Sequence, residues 1–194
     1  MIKCSTTDPE SGWFHKGDHK NVFAYAVETA CDKNGWILGY TVNPGNEHDS
    51  RTFKGVYDKL DKEAMEYCVV DAGYKTPAIA KLLIDDGIKP VFPYKRPMTK
   101  DGFFKKQEYA YDEYNDCYVC PNGQVLNYST TNREGYREYK SDGCVCAECP
   151  HLNQCTASRN HVKVLTRHVW EELTEQGRTF RGCQSLGCHN LPFR

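Results

Sequence analysis

The chain has 194 residues, of which 39% are hydrophobic and 26% charged, a composition that fits one soluble domain, alone or with a small appendage. The formal net charge of −1 argues against electrostatic capture of nucleic acid by the whole protein, although the stretch from Arg159 onward is basic. No apolar run is long enough for a transmembrane helix and no signal-peptide pattern is present, so we expect a cytoplasmic protein.

The first twenty residues are polar and show no periodicity, and a β-hairpin is predicted to follow them. Residues 22–31 and 36–42 read as strands, and the Asn-Gly pair at 34–35 is a strong hairpin signal. Asp49 and Ser50 are predicted to cap a helix that runs to about residue 62, because its apolar residues recur at helical spacing.

A second helix carries signals at both of its ends. Thr76 is the predicted N-cap, Pro77 the first helical residue and Gly87 the stop. Residues 88–94 then form a short strand, which its two prolines push toward a sheet edge. A hairpin followed by strands that helices connect predicts a mixed α/β sheet.

Asp71 is the first candidate functional residue. The preceding residues 68–70 read as a short buried strand, and Gly73 breaks it soon afterwards. Ligands and metals sit beyond the carboxyl ends of strands in open α/β sheets, and carboxylates are ligands for Mg²⁺. The competing interpretation is a side chain that caps the following loop by accepting backbone N–H bonds.

Two further carboxylates are weaker candidates for the same site. Asp49 follows the second hairpin strand, but its expected role is the helix N-cap. Asp8 precedes Pro9, which is typical of a turn residue. A metal-dependent nuclease would need one of these two carboxylates close to Asp71.

The cysteines form a second constellation. The chain has 11, an odd number that argues against a complete disulfide framework. Two C-x-x-C pairs about 25 residues apart approach the spacing of a structural Cys₄ zinc site. The preferred zinc ligands are Cys120, Cys146, Cys149 and Cys155, with Cys117 and Cys144 as spares. A set of free thiols, or a site that has lost its metal, is the competing interpretation.

Basic residues lie on both sides of the cysteine-rich stretch and are candidates for holding phosphates. Residues 162–176 are predicted to form a final helix that carries three of them. An ordinary solvated surface explains them equally well. The candidates are Lys95, Arg96, Lys163, Arg167 and His168.

The sequence resembles the DDE transposases of bacterial insertion sequences, in the branch with a cysteine-rich insertion. The motifs that carry the resemblance cover residues 3–181 and include Ser5-Thr-Thr-Asp-Pro-Glu-Ser-Gly12, Pro44-Gly-Asn-Glu-His-Asp-Ser50, Val70-Asp-Ala-Gly-Tyr-Lys75, Cys120-Pro-Asn-Gly123, Cys146-Ala-Glu-Cys149-Pro150 and Val164-Leu-Thr-Arg-His-Val-Trp170. The resemblance implies a ribonuclease-H-like domain and two Mg²⁺ or Mn²⁺ ions held by Asp, Asp and Glu. It also implies phosphodiester cleavage and strand transfer at the ends of the element, with Asp71 as the second acid.

The same resemblance implies that the chain is truncated at both ends. The family's first aspartate lies on a strand upstream of the Thr-Asp-Pro stretch, and its glutamate lies beyond the Arg-His-x-Trp region. Without the first strand, its neighbours would expose unpaired edges, so we expect a marginal or aggregation-prone fold that is inactive alone. The residues after Gly182 are expected to form a disordered tail.

These observations predict three segments. Residues 1–97 would form a partial ribonuclease-H-like core, residues 98–160 a zinc-ribbon-like insertion and residues 161–194 a helix and an irregular tail. The expected partner is DNA at the ends of an insertion sequence, with no membrane and with a homodimer for the full-length protein. A non-catalytic zinc module that binds nucleic acid or a protein is the alternative function.

Overall fold

The computed structural model describes residues 3–16, 20–94 and 98–179. The chain divides into two compact units. The first unit takes in the residues up to Tyr94 and those from Leu173 onward, and the second lies between them in the sequence. Lys95 and Arg96, the boundary at residues 97–98 and the expected tail after Gly182 lie outside the described residues.

The first unit begins with an antiparallel sheet of β1 (Gly12–Lys16), β2 (Lys20–Cys31) and β3 (Ile37–Pro44). The hairpin of β2 and β3 confirms the prediction, and its turn contains Gly35 at a φ of +85°. Strand β1 was missed by sequence analysis, because its adjacent aromatic residues show no alternation with polar ones. It pairs with the first half of β2, and β3 pairs with the second half.

Two helices and a parallel strand pair complete the first unit, namely α1 (Asp49–Tyr57), β4 (Tyr67–Val69), α2 (Pro77–Asp85) and β5 (Lys89–Val91). Helix α2 has the predicted Thr76 cap, whose side chain accepts a hydrogen bond from the Ile79 N–H. Helix α1 ends earlier than expected. Its Asp58 cap donates its backbone N–H to the carbonyls of Lys54 and Val56.

The prediction of one mixed sheet needs correction. In the part of the chain that the structure describes, β4 and β5 form a two-stranded sheet that has no strand pairing with the hairpin sheet. The strand directions were predicted correctly, because a helical connection between neighbouring strands makes them parallel. Whether two such pieces share one sheet depends on hydrogen bonds between distant segments, which local sequence patterns do not encode.

The core of the first unit lies between its helices and the parallel strands. Its buried members are Phe53, Tyr57, Ile79, Ala80, Leu83, Ile88 and Phe92. By contrast, one face of the hairpin carries apolar side chains that stay largely exposed, namely Tyr25, Val27, Leu38, Tyr40 and Val42, and we call these five residues the hairpin face. Val27 and Val42 lie directly opposite each other across the two strands, so the hairpin face is continuous.

The second unit is a five-stranded antiparallel sheet in the order β10-β9-β8-β7-β6, with two short helices. Its elements are β6 (Ala110–Asp112), β7 (Cys117–Val119), β8 (Val125–Thr131), β9 (Tyr136–Lys140), α3 (Gly143–Ala147), α4 (Leu152–Cys155) and β10 (Val164–His168). No zinc ribbon is seen among the described residues. This sheet occupies the segment in which the ribbon-like module was expected.

The helix predicted over residues 162–176 is wrong in its first half. The structure places β10 there, and helix α5 (Glu171–Thr179) begins only after Trp170. Strand β10 pairs with β9 along its whole length, from Val164 opposite Lys140 to His168 opposite Tyr136. Its buried Leu165 and Arg167 follow the strand period of two, so pairing with β9 overrides the local helical pattern.

Aromatic side chains fill the interior of the second unit. Tyr118 and Tyr139 meet edge to face with ring centroids 5.1 Å apart, and Tyr111 lies 5.0 Å from Tyr118. The phenol groups of Tyr111 and Tyr139 both donate hydrogen bonds to Asp116 Oδ1, at 2.8 and 2.6 Å. One carboxylate therefore satisfies the phenol groups of the partly buried Tyr111 and the buried Tyr139.

Candidate active site

Asp71 lies just beyond the end of β4, in extended backbone at a φ of −70°. A single 3-10 turn, Ala72–Tyr74, follows it, and the Ala72 N–H donates to Asp71 Oδ1. The loop-capping role considered from the sequence is therefore present for one oxygen of the carboxylate. The side chain is exposed, and the described residues provide no hydrogen-bond partner for Oδ2. Asp71 can therefore cap its turn and still present an oxygen to a ligand.

Asp49 brings a second carboxylate to this turn. The expectation that it caps α1 is wrong, because His48 is the N-cap and its Nδ1 accepts a hydrogen bond from the Ser50 N–H at 3.1 Å. The Asp49 side chain instead lies against Gly73. A Cβ on Gly73 would stand 3.1 Å from Asp49 Cγ and closer still to Oδ2, so glycine leaves the space that the carboxylate fills.

Glu28 on β2 is a third carboxylate nearby, and sequence analysis missed it. It is buried and accepts a hydrogen bond from the Thr52 hydroxyl on α1, while its Oε2 is buried without a partner among the described residues. Burial raises the pKa of the Glu28 carboxyl, and the Asp49 and Glu47 carboxylates raise it further. The available signal was a single acidic residue within an otherwise apolar strand.

Tyr74 shows that these carboxylates share one electrostatic environment. Burial raises the pKa of its phenol to about 12, and the negative charges of Glu28, Asp49 and Asp71 contribute in the same direction. A divalent cation placed here would offset the repulsion between the carboxylates. Carboxylate oxygens are the donors that Mg²⁺ and Mn²⁺ prefer, so Asp71 and Asp49 suit such an ion in their chemistry. In the described residues, the carboxylates as they stand are not gathered into a group of three ligands around one point.

Asp8 does not belong to this group and has the turn role expected from its sequence. Its backbone carbonyl accepts hydrogen bonds from the Ser11 N–H and hydroxyl, and its carboxylate accepts one from Tyr25 OH at 2.8 Å. Of the two carboxylates considered as partners of Asp71, the structure places Asp49 at the turn that follows Asp71 and engages Asp8 elsewhere.

Comparison with known families identifies the family of the chain. The chain matches the family model described as "Transposase DDE domain" over residues 1–170, most of its length. The chain belongs to the DDE transposase family. Membership implies a role in transposition, binding to DNA and the general use of divalent metal ions by such enzymes. Comparisons with curated proteins and with solved structures found no match.

In this transposase domain, the four cysteines predicted as zinc ligands meet in the second unit. Cys120, Cys146, Cys149 and Cys155 line one small cavity there. The two spares do not line it, since Cys117 is buried in β7 and Cys144 is exposed on α3. As the side chains stand, no group of three or more His, Cys, Asp or Glu in the described ranges is arranged to hold a metal ion.

Three of the five basic residues predicted to contact DNA lie in the described part of the transposase domain, and each of these three has an internal partner. Lys163 Nζ donates to the Cys155 carbonyl at 2.8 Å, and the Arg167 guanidinium lies 4.2 Å from the centre of the Tyr111 ring. His168 is buried, with Nε2 at 3.1 Å from the Glu134 carbonyl oxygen and Nδ1 accepting from the Trp170 N–H. Contact with a phosphate would require Arg167 or His168 to leave these positions.

No helix that the structure describes in the transposase domain has the length and apolarity needed to cross a membrane.

Proposed function

We propose that Asp71, with Asp49 beside it, binds Mg²⁺ or Mn²⁺ as part of the active site of an insertion-sequence transposase. The reaction is cleavage of a phosphodiester at the ends of the element, followed by strand transfer. The observation that carries the proposal is the packing of the Asp49 carboxylate against Gly73, two residues beyond Asp71. Asp49, at the start of α1, therefore contacts the turn that follows Asp71.

The supporting geometry concerns the chain's own groups. The β4 strand and the turn after it hold Asp71, while the start of α1 holds Asp49. Bound divalent ions in such sites activate water or a hydroxyl and stabilise the leaving oxygen. Asp71 and Asp49 would orient the ion, and a bound cation would favour the charged form of the buried Glu28, whose pKa burial and the Asp49 and Glu47 carboxylates raise.

DNA is the proposed substrate. We retain Lys163 as a contact to the phosphate backbone of DNA, since its side chain is only half-buried. We also retain Lys95 and Arg96, on the basis of their positive charge. For Arg167 and His168 we propose a supporting role. Both residues lie on β10, the strand that directly follows Lys163 in the sequence. Their contacts with Tyr111 and Glu134 hold this strand in place.

A second candidate function is a non-catalytic zinc module that binds nucleic acid or a protein partner. The specific observation in its favour is the cavity lined by four cysteines. The two candidates make different demands on the first unit. Only the transposase proposal requires divalent-metal binding at Asp71.

The test is Mn²⁺ binding, measured by the loss of the electron paramagnetic resonance signal of the free ion. We expect D71N and D49N each to weaken binding about tenfold or more, the scale of losing a partner in a metal site. The matched control is D61N, because Asp61 is an aspartate outside the site whose carboxylate caps the Glu63 N–H. Binding that D71N leaves unchanged would overturn the proposal, provided circular dichroism shows a folded variant.

A further inference from the structure

Three separate segments of the second unit deliver cysteines to one cavity. Cys120 directly follows β7, Cys146 and Cys149 lie on and just after α3, and Cys155 ends α4. All four are free cysteines. Convergence from segments up to 35 residues apart is a property of the fold, which the spacing of the two C-x-x-C pairs alone does not establish.

The loop that carries Cys120 directs a backbone N–H at its sulfur. The Gln124 N–H donates to Cys120 Sγ at 3.3 Å, and the Gly123 N–H donates to the Cys120 carbonyl at 2.8 Å. Gly123 has a φ of +75°, which the tight turn requires. A backbone N–H directed at the sulfur fixes its orientation, as hydrogen bonds around metal ligands do.

Among the described residues, the hydrogen-bond partners of the other three thiols are uncharged. Cys146 Sγ donates to Ser141 Oγ at 3.3 Å, and Asn122 Nδ2 donates to Cys149 Sγ at 3.5 Å. Cys155 Sγ lies 3.1 Å from Tyr109 OH. Asn122 belongs to the Cys120 loop, so this contact also ties the two C-x-x-C pairs together. Rotation of the side chains out of these contacts is a small cost against four metal–sulfur bonds.

We propose that this cavity binds one Zn²⁺ through Cys120, Cys146, Cys149 and Cys155. Binding releases one proton from each thiol and leaves a tetrahedral zinc tetrathiolate with a net charge of −2, without any change of oxidation state. Lys163 lines the same cavity and places its ammonium group on the Cys155 carbonyl, so it partly neutralises that charge. Four protein ligands saturate zinc, which makes the role structural.

The site's consequence is a cross-link between the sheet and both short helices. Helices α3 and α4 have only five and four residues, too short to be stable by themselves. A zinc ion that joins Cys120 to these helices would fix them. This inference is independent of the metal proposed at Asp71, because it concerns different residues, a softer ligand set and a different unit.

The first experiment uses the unmodified chain. After reconstitution with Zn²⁺ and gel filtration, elemental analysis should find stoichiometric zinc. Alkylation followed by mass spectrometry should then show that zinc protects the four cavity cysteines, and that a chelator removes the protection. The exposed Cys144 and Cys4 should react alike with and without zinc. A chain that retains no zinc, or that shows disulfides among the four cysteines under reducing conditions, would overturn the proposal.

The second experiment uses variants. C120S, C146S, C149S and C155S should each abolish stoichiometric zinc, whereas C144S should retain it, because Cys144 lies on α3 but does not line the cavity. C155H serves as a rescue, since histidine can replace cysteine as a zinc ligand. Loss of zinc in C144S equal to that in the four cavity variants would contradict the assignment.

Discussion

The Asp49 carboxylate fills the space that a side chain on Gly73 would need. A Cβ at Gly73 would lie 3.1 Å from Asp49 Cγ, a distance that real Cβ atoms rarely show. The absence of a side chain two residues after Asp71 thus leaves room for the Asp49 carboxylate beside this turn. Sequence analysis treated Gly73 only as a strand breaker, whereas the structure gives it a part in bringing two carboxylates together.

Replacement of Gly73 by alanine should displace the Asp49 carboxylate without removing that of Asp71. We expect G73A to bind Mn²⁺ more weakly than the unmodified chain, with a loss comparable to that of D49N. G55A is the matched control, because a Cβ there meets Thr41 Cγ2 at an ordinary 3.5 Å. Equal Mn²⁺ affinity of G73A and the unmodified chain, measured by isothermal titration calorimetry, would show that Asp49 takes no part in binding.

Replacement of Glu28 by glutamine should stabilise the first unit at neutral pH. Glutamine keeps an acceptor for the Thr52 hydroxyl and removes a buried charge whose Oε2 has no partner in the described residues. The pKa of Glu28 is raised above its ordinary value of 4.5, so the folded state favours the protonated form. At a pH below the ordinary value of 4.5, the Glu28 carboxyl is protonated in both the folded and the unfolded chain, so no buried charge lowers the stability.

The advantage of E28Q should therefore be small at acidic pH and grow as the pH rises through the elevated pKa of Glu28. Thermal melts of both proteins in the presence of a chelator, from about pH 4 to pH 8, measure this difference. A gap between the two melting temperatures that stays constant across this range would contradict the charge argument.

Loss of the Thr76 cap should destabilise α2. Thr76 Oγ1 accepts a hydrogen bond from the Ile79 N–H at 3.3 Å, one of the backbone donors that has no partner within the helix. We expect T76A to lower the free energy of unfolding by about 1 kcal/mol. T76S should cause a much smaller loss, because the serine hydroxyl keeps the acceptor for the Ile79 N–H. Urea denaturation of the three proteins gives these values, and equal losses in T76A and T76S would exclude the capping explanation.

Asp116 should stabilise the second unit in a pH-dependent way. The hydrogen bond from Tyr139 lowers the pKa of the Asp116 carboxyl below its ordinary value of 3.8, and Tyr111 and Arg137 add to this effect. The stabilisation is present above that ordinary value and is lost as the pH falls through the lower pKa of the folded state. Asparagine tolerates the φ of +46° found here, so D116N tests the charge without backbone strain.

D116N should therefore lower the melting temperature at neutral pH, and the difference should shrink in acid. The measurement is a series of thermal melts that follows the tyrosine signal in the near-ultraviolet circular dichroism spectrum. If the two proteins differ equally at every pH, the loss comes from altered hydrogen-bond geometry rather than from the charge.

Elements with strong local signals were predicted well. Helix α2 is bounded by Thr76 and Pro77 at one end and by Gly87, at a φ of +75°, at the other. The hairpin follows from Asn34-Gly35 for the same reason. Strand β10 was predicted as a helix, because its pairing with β9 involves residues more than 20 positions away, and that contact leaves no mark on local periodicity.

The candidate sites show the same contrast between residues marked by local sequence patterns and residues whose role depends on distant contacts. Asp71 could be found from the sequence, since a carboxylate that follows an apolar strand is a local pattern, and the C-x-x-C pairs are local as well. The prediction that this strand is buried was wrong, because Tyr67 and Val69 of β4 are exposed. Asp49 was assigned to the helix cap, because His48 is a less usual cap residue and its competing hydrogen bond to Ser50 was not anticipated. Glu28 was overlooked because its burial depends on α1 packing over β2 through Thr52.

The hairpin face has a practical consequence for every measurement proposed above. Five large apolar side chains in contact with water make a surface to which other copies will adhere when the protein is concentrated. Turbidity should consequently appear at lower temperature in concentrated samples than in dilute ones. Melting curves recorded in the dilute range will report unfolding of the chain, whereas those from crowded samples will report precipitation.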